Sequence, residues 1–327
     1  MQGSVRARGE VVKKPTPARL WALWGHGGMG LSSRLSMTSH PRSPLSRRWV
    51  CALALVSFLV AGCATSTRTP SILPPVAGAG PSLRVMTFNI KSGEAGLERI
   101  AAVIRAAQPD VVALQEVDNG TRRCGGIDQA QALARLANLP WAVHVATTRL
   151  HGGDYGMALI SRHPIRSLQR RRLPVDPGME PRVVARAILD VDGTEISIYK
   201  VHLSPLPQRS RLRAEQAAIV ARMVARERRP TIVLGDMNDV ASSPAVRLLT
   251  RNLQDAWAEA GVGDAGTYPL PLLGSFRYDY VLASEAFEVR RAFVIAGDAS
   301  DHHPVVADLA LPATHMAEAP AVPVEHD

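Results

Sequence analysis

The 327-residue chain carries a formal charge of +9, but nine of its 38 lysines and arginines precede Cys63, where the only acid is Glu10. The rest holds 29 basic and 28 acidic residues, so the high isoelectric point gives no ground for assigning nucleic-acid binding. Three cysteines, Cys51, Cys63 and Cys124, are too few for a disulfide framework, and they imply neither thiolate nor zinc chemistry.

Residues 1–36 fit neither a signal nor a domain and read as a non-structural extension, with Met37 as an alternative start. Residues 37–62 read as a presequence. The basic pair Arg47-Arg48 precedes an apolar run from Trp49 to Val60 that is too short to span a bilayer and has the length of a signal-peptide core. The run ends in Ala61-Gly62-Cys63, which resembles the lipobox of bacterial lipoproteins and implies acylation of Cys63. Ala64 stands where an Asp commonly retains lipoproteins at the inner membrane, so the expectation is an exported envelope protein of the outer membrane. Residues 63–81, rich in Ala, Thr, Ser, Pro and Gly, read as a flexible tether. Residues 82–312 amount to one domain, and 313–327 read as a disordered tail.

Within the domain, Leu83–Ile90 is predicted as a strand and Gly96–Ala107 as a helix with its apolar face on Leu97, Ile100, Ala101, Val103 and Ile104. A strand over Val111–Gln115, a helix over Asp128–Asn138 and strands over Tyr155–Ser161, Arg182–Leu189 and Glu195–Val201 follow. Next come a helix over Arg209–Glu227, a strand over Thr231–Leu234, and a helix over Ser243–Arg251 that opens on a Ser-Pro cap. Strands over Tyr278–Ala283, Glu288–Ile295 and Pro304–Leu309 close the chain. Many strands with few interleaved helices indicate an α/β sandwich in layers, with two packed sheets and helices outside. The run Arg170-Arg171-Arg172 fits a solvated face.

Polar residues recur at the ends of the predicted strands: Asn89, Glu116, His202, Asp236, Asn238, Asp279, Asp301 and His302. Strand ends gather side chains from distant sequence along one rim. Phosphoester hydrolysis needs such a rim. Carboxylates suit Mg²⁺, hydrogen-bonding groups suit the phosphoryl charge, and a His oriented by an Asp suits proton transfer. Taken singly, each residue also fits a turn, a solvated carboxylate or a satisfied histidine.

Six segments, Thr87-Phe-Asn89-Ile, Leu114-Gln-Glu116-Val, His202-Leu, Gly235-Asp236-Met-Asn238, Asp279-Tyr-Val and Ser300-Asp301-His302, resemble in order and spacing the motifs of the endonuclease/exonuclease/phosphatase superfamily. That group includes DNase-I-like nucleases, neutral sphingomyelinases and inositol-polyphosphate 5-phosphatases. The resemblance spans Leu83 to Leu309 and implies a four-layer sandwich of two mostly antiparallel sheets flanked by helices. It implies an Mg²⁺-dependent phosphoric ester hydrolase, with Mn²⁺ as the alternative ion, held by Glu116 with Asn89 and Asp301. It further implies that His302 and Asp236 share the acid–base work, that Asp279 orients His302, and that Asn238 and His202 bind phosphoryl oxygens. Tyr155 and Arg182 lie in segments similar to the family's substrate-facing strands and are candidate phosphate contacts. Met157 stands where relatives often carry Asn, which leaves substrate identity open. Lys91 reads as a surface lysine and Asp118 as solvated.

The expected substrate is therefore a nucleic acid, a phospholipid headgroup or a small phosphate ester, with membrane attachment through the N-terminal lipid and no protein partner implied. The competing expectation is a non-catalytic envelope binding protein on the same scaffold.

Overall fold

The computed structural model describes residues 72–75 and 82–311, all within one unit, Arg68–Asp327. The expected extension 1–36, the presequence 37–62, Cys63 and the tail 313–327 lie outside the described residues. Of the expected tether 63–81, the described residues 72–75 lie against the domain: Ile72 and Leu73 pack on its core, and the Leu73 carbonyl accepts from Arg84 at 2.9 Å. Among the described residues no helix is long and apolar enough to cross a membrane.

Fifteen strands are formed among the described residues: β1 (Ser82–Asn89), β2 (Val111–Asn119), β3 (Trp141–Leu150), β4 (Gly153–Ser161), β5 (Ile165–Leu173), β6 (Arg182–Val191), β7 (Thr194–His202), β8 (Thr231–Asp236), β9 (Gln254–Asp255), β10 (Gly261–Val262), β11 (Tyr268–Leu270), β12 (Gly274–Phe276), β13 (Asp279–Ala283), β14 (Glu288–Val294) and β15 (Val305–Ala310). The helices are α1 (Leu97–Ala107), α2 (Gln129–Leu136), α3 (Ser210–Val224), α4 (Pro244–Leu249) and α5 (Ala256–Ala260). One sheet has seven strands in the order β10-β14-β15-β1-β2-β4-β3. The other has six in the order β5-β6-β7-β8-β13-β9, and β11–β12 is a separate hairpin. Pairs β1–β2, β7–β8 and β10–β14 are parallel and the other pairs antiparallel.

Side-chain alternation along each strand sorts the apolar residues into layers. Leu83 and Val85 of β1, Ile196 and Ile198 of β7 and Ile232 and Leu234 of β8 meet between the sheets. Met86 and Phe88 point the other way, onto Ile100 and Ile104 of α1 and Leu133 of α2. Val201 and Val233 do the same on the second sheet, under Ala217 and Val220 of α3 and Leu249 of α4. The result is the expected four-layer sandwich, and each fully buried Leu, Ile or Val contributes roughly 1.5–3 kcal/mol to it. The helix ends follow local chemistry. Asp128 caps α2 by accepting from the Gln131 amide (3.0 Å), and Ser243 caps α4 by accepting from the Val246 amide (3.3 Å). Gln108, left-handed at φ 52°, ends α1 before Pro109.

Strands β3 and β5 have no counterpart in the sequence pattern. Both are edge strands, and β5 exposes seven successive residues, so its form comes from pairing with β6 rather than from burial.

Candidate active site

The face turned between the sheets changes character along the strands. On β1 it runs Leu83, Val85, Thr87, Asn89; on β7 it runs Ile196, Ile198, Lys200, His202; on β8 it runs Ile232, Leu234, Asp236. The apolar core thus ends in a polar layer at one rim, which gathers residues more than two hundred positions apart. Register completes the alignment: His202 lies opposite Asp236 across β7–β8, and Asp279 lies opposite Asp236 across β8–β13. All three are buried, and His302, 7 % exposed, closes the group.

His302 Nδ1 is 2.8 Å from Asp279 Oδ2, while its Nε2 lies 3.8 Å from Asp236 Oδ2. His202 Nε2 lies 3.6 Å from the same Asp236 oxygen. Asp236 Oδ1 accepts from the Asn238 amide (2.7 Å), and the Asn238 side chain donates to the Leu203 carbonyl (3.1 Å). Asn89 Nδ2 donates to Glu116 Oε1 (2.9 Å) and reaches Asp236 Oδ2 (3.3 Å), so it joins the outer acid to the inner group. Glu116 owes its placement to a bulge in β2, where the register slips between Gln115 and Val117 and Glu116 takes φ 56°. A left-handed non-glycine residue costs of order 1–3 kcal/mol and persists where the fold holds it, here re-aiming a carboxylate off the sheet. Asn238 has φ 50° at the matching exit from β8.

Electrostatics separate the two histidines. Burial opposes the charged form of His302, but Asp279, then Asp236 and Asp301, outweigh it and raise its pKa to about 10. His202 is held well below the ordinary histidine value by burial, with Arg182 and His302 adding to the effect. Burial and the neighbouring Asp279 raise Asp236 above the usual carboxylate range, against the pull of His302.

The other candidates divide. Tyr155 and Arg182 line a slot with His202, Thr147 and Glu180. Arg182 is already committed there, to Glu180 and to the Leu203 carbonyl (3.3 Å). Tyr155 is covered by the Arg123 guanidinium, 5.4 Å from its ring centre. Asp301 pairs with Lys91 Nζ at 3.3 Å; Lys91 lies at the surface, as expected, and also pairs with Glu94 at 3.5 Å. Asp118, expected to be solvated, is fully buried: it accepts from Arg123 (2.6 and 2.8 Å) and Thr121 (3.0 Å), and so holds the arginine that covers Tyr155.

Three further residues at the site do not stand out in the sequence. Glu180 stands two residues before Arg182, and burial raises its pKa against the pull of that arginine. The Tyr268 ring lies 4.7 Å from the His302 ring. Buried Thr267 accepts from the amides of Tyr278 (3.0 Å) and Asp279 (3.2 Å), while its carbonyl accepts from the His303 amide (2.6 Å), tying both halves of the dyad to one point. For Thr267 and Tyr268 the sequence offers only the segment Gly266-Thr-Tyr, which reads equally as a turn.

Two sets of residues suit a metal ion. Among the described residues, Asp236, Asp279 and His302 bring ligand atoms within 4.8 Å of one another. That closeness is largely the dyad's own hydrogen bond, which occupies Nδ1 and Oδ2. Glu116, with Asn89 beside it, offers oxygen donors of the kind hard divalent ions take. Asp279 Oδ1 is buried without a hydrogen-bond partner, and burial together with Asp279 raises Asp236.

The family model described as "Endonuclease/Exonuclease/phosphatase family" matches residues 86–302, from the strand carrying Asn89 to His302 itself. A solved endonuclease/exonuclease/phosphatase from Beutenbergia cavernae is 31 % identical over 70 % of this chain and 72 % of its own, with a TM-score of 0.59. A mannosyl-6-phosphatase from Bacteroides thetaiotaomicron (18 % identity, 70 % and 100 % covered, TM-score 0.58) and the human Nocturnin catalytic domain with bound sulfate (21 %, 75 % and 100 %, 0.58) share the fold. No curated protein matches the chain. Family match, sandwich and strand-end cluster agree: the chain belongs to the endonuclease/exonuclease/phosphatase family, whose members generally hydrolyse phosphoester bonds and are typically dependent on a divalent metal.

Proposed function

We propose that the protein is an Mg²⁺-dependent phosphoester hydrolase of the cell envelope, exported and anchored through a lipid on Cys63. The observation that carries the catalytic part is the registered trio His202, Asp236 and Asp279 with His302 hydrogen-bonded to Asp279 at 2.8 Å. The envelope part rests on the presequence pattern ending at Cys63.

Glu116 and Asn89 would hold the ion, which supplies electrostatic stabilisation of the phosphoryl and leaving-group charge. Asp301 would join them only by exchanging Lys91 for the ion. Asp236, raised toward neutrality and adjacent to both histidines, accepts a proton from the attacking water. His302 is an imidazolium at neutral pH, so it donates a hydrogen bond or a proton to the phosphoryl group, while Asp279 fixes its ring and tautomer. Neutral His202 and Asn238 hydrogen-bond the phosphoryl oxygens. Arg182, already engaged by Glu180, adds to the burial that keeps His202 uncharged. Tyr155 bounds the slot on that side.

The test is hydrolysis of bis(p-nitrophenyl) phosphate, DNA, RNA, sphingomyelin and inositol phosphates by the purified protein, with Mg²⁺ and with chelator, beside His302→Ala. Turnover that needs the metal and falls by orders of magnitude in the variant supports the assignment. Folded protein with no metal-dependent turnover on any of these overturns it. Labelling with a fatty-acid probe, abolished in Cys63→Ala, tests the anchor.

A further inference from the structure

A second cleft opens beside the slot that holds Tyr155, Arg182 and His202. It has a volume of about 670 Å³ and lies where the exposed edges of the two sheets face each other, β3 on one side and β5 with β6 on the other. Thr147 and Val183 line both spaces, so the cleft borders that slot. Its charged residues are Arg149, Arg170, Arg172 and a single acid, Asp154.

Strand register explains the concentration of charge. In β5, Arg170 lies opposite Ala185 and Arg172 opposite Val183, and Val183 and Ala185 turn inward to a small cluster with Val145 and Met157. Alternation therefore sends Arg170 and Arg172 to the cleft, and sends Arg171, opposite outward-facing Val184, to the other face. A run that reads in sequence as one solvated patch is split by the pleat. Arg149 is satisfied in part by Asp154 at 3.4 Å, and Arg170 donates to the Ala146 carbonyl. Among the described residues the Arg172 guanidinium has neither a hydrogen-bond partner nor an acid within ion-pair distance. The cleft thus keeps a net charge of +2 with guanidinium donors to spare, a match for phosphate oxygens.

We propose that this cleft binds a second phosphate of the substrate, one beyond the phosphate being hydrolysed, and so selects phosphoesters bearing at least two phosphates. The inference rests on the hydrolase reading of the neighbouring site. The shared chemistry has two sources, the adjacent phosphodiester of an oligonucleotide and a further monoester on a small polyphosphorylated molecule.

The test compares the wild-type protein with R170Q/R172Q and with R171Q. Substrates are bis(p-nitrophenyl) phosphate, a single-stranded pentadeoxynucleotide and an inositol bisphosphate, and inositol hexakisphosphate binding is measured separately by calorimetry. The expected result for R170Q/R172Q is at least a tenfold rise in KM, with kcat held, on whichever multiply phosphorylated substrate is used. On bis(p-nitrophenyl) phosphate the change stays within twofold, and R171Q resembles wild type throughout. If the oligonucleotide is the substrate, the slope of log affinity against log salt falls by about 0.7, for the one single-strand phosphate the cleft neutralises. Equal losses on all substrates, or equal losses from R171Q, would reduce the cleft to a general field and overturn the proposal. So would an unchanged KM in R170Q/R172Q. If the wild type hydrolyses nothing, the hydrolase reading fails by itself. Binding of inositol hexakisphosphate then decides the cleft: tenfold weaker in R170Q/R172Q sustains it, and no change removes it.

Discussion

Gly235→Ala should disable the site through the backbone alone. Gly235 precedes Asp236 in β8 at φ 150°, and a Cβ there would stand 1.9 Å from the Val201 carbonyl oxygen of β7. Cβ atoms essentially never approach another atom below 3.0 Å, so the strands must part by at least 1.1 Å at that point. The next pair in register is His202 opposite Asp236, now 3.6 Å apart. A misplacement of about 1 Å at reacting groups costs on the order of 10²-fold, and forced overpacking costs typically 1–3 kcal/mol. Gly235→Ala should therefore lower kcat/KM about 100-fold and stability by about 2–3 kcal/mol. Hydrolysis of bis(p-nitrophenyl) phosphate with Mg²⁺, at a temperature where urea titration shows the variant folded, gives both numbers. Gly193→Ala is the control: its φ is 85° and a Cβ meets nothing within 4 Å, so it should cost stability while leaving kcat/KM unchanged. Activity within threefold of wild type in folded Gly235→Ala would refute the argument that the β7–β8 spacing sets the site.

Three further outcomes are expected. Asp308, buried, is held by Arg84 (2.6 and 3.0 Å) and Arg291 (2.7 and 3.1 Å). Asp308→Ala leaves the buried Arg84 guanidinium without its acid and should cost about 3–5 kcal/mol in urea unfolding, whereas the apolar pair Arg84→Met with Asp308→Leu should recover much of that loss. His302 is raised from 6.5 to about 10, so in metal-free protein its stabilising contribution is complete below pH 6.5 and is lost as pH rises through 10. The slope is at most about 1.4 kcal/mol per pH unit, and Asp279→Asn should flatten it and lower the His302 pKa read by NMR. Glu116→Gln should raise the Mg²⁺ concentration needed for half-maximal hydrolysis by about tenfold or more, read by metal titration, while leaving the His302 resonance position in metal-free protein unchanged.

Much of this protein is decided by local pattern. The apolar runs of β1, β2, β7 and β8 are buried on both faces, so their strands stand out in the sequence; β1, β7 and β8 end on the polar residue that reaches the rim, and β2 presents Glu116 at its bulge. The six motifs identify the family because they keep their order along the chain. Other features depend on contacts between distant segments. The edge strand β5 has no apolar period of its own and is made by its pairing with β6, which also divides Arg170 and Arg172 from Arg171. His302 meets Asp279 from twenty-three residues away, and Asn89 links Glu116 to Asp236, 147 residues further on, across the two sheets. Sequence determined which side chains stand at the strand ends, since alternation and burial act between near neighbours. Only the tertiary structure decided which of those charges meet, because an ion pair, a register and a raised pKa all belong to distances between strands that the chain itself never specifies locally.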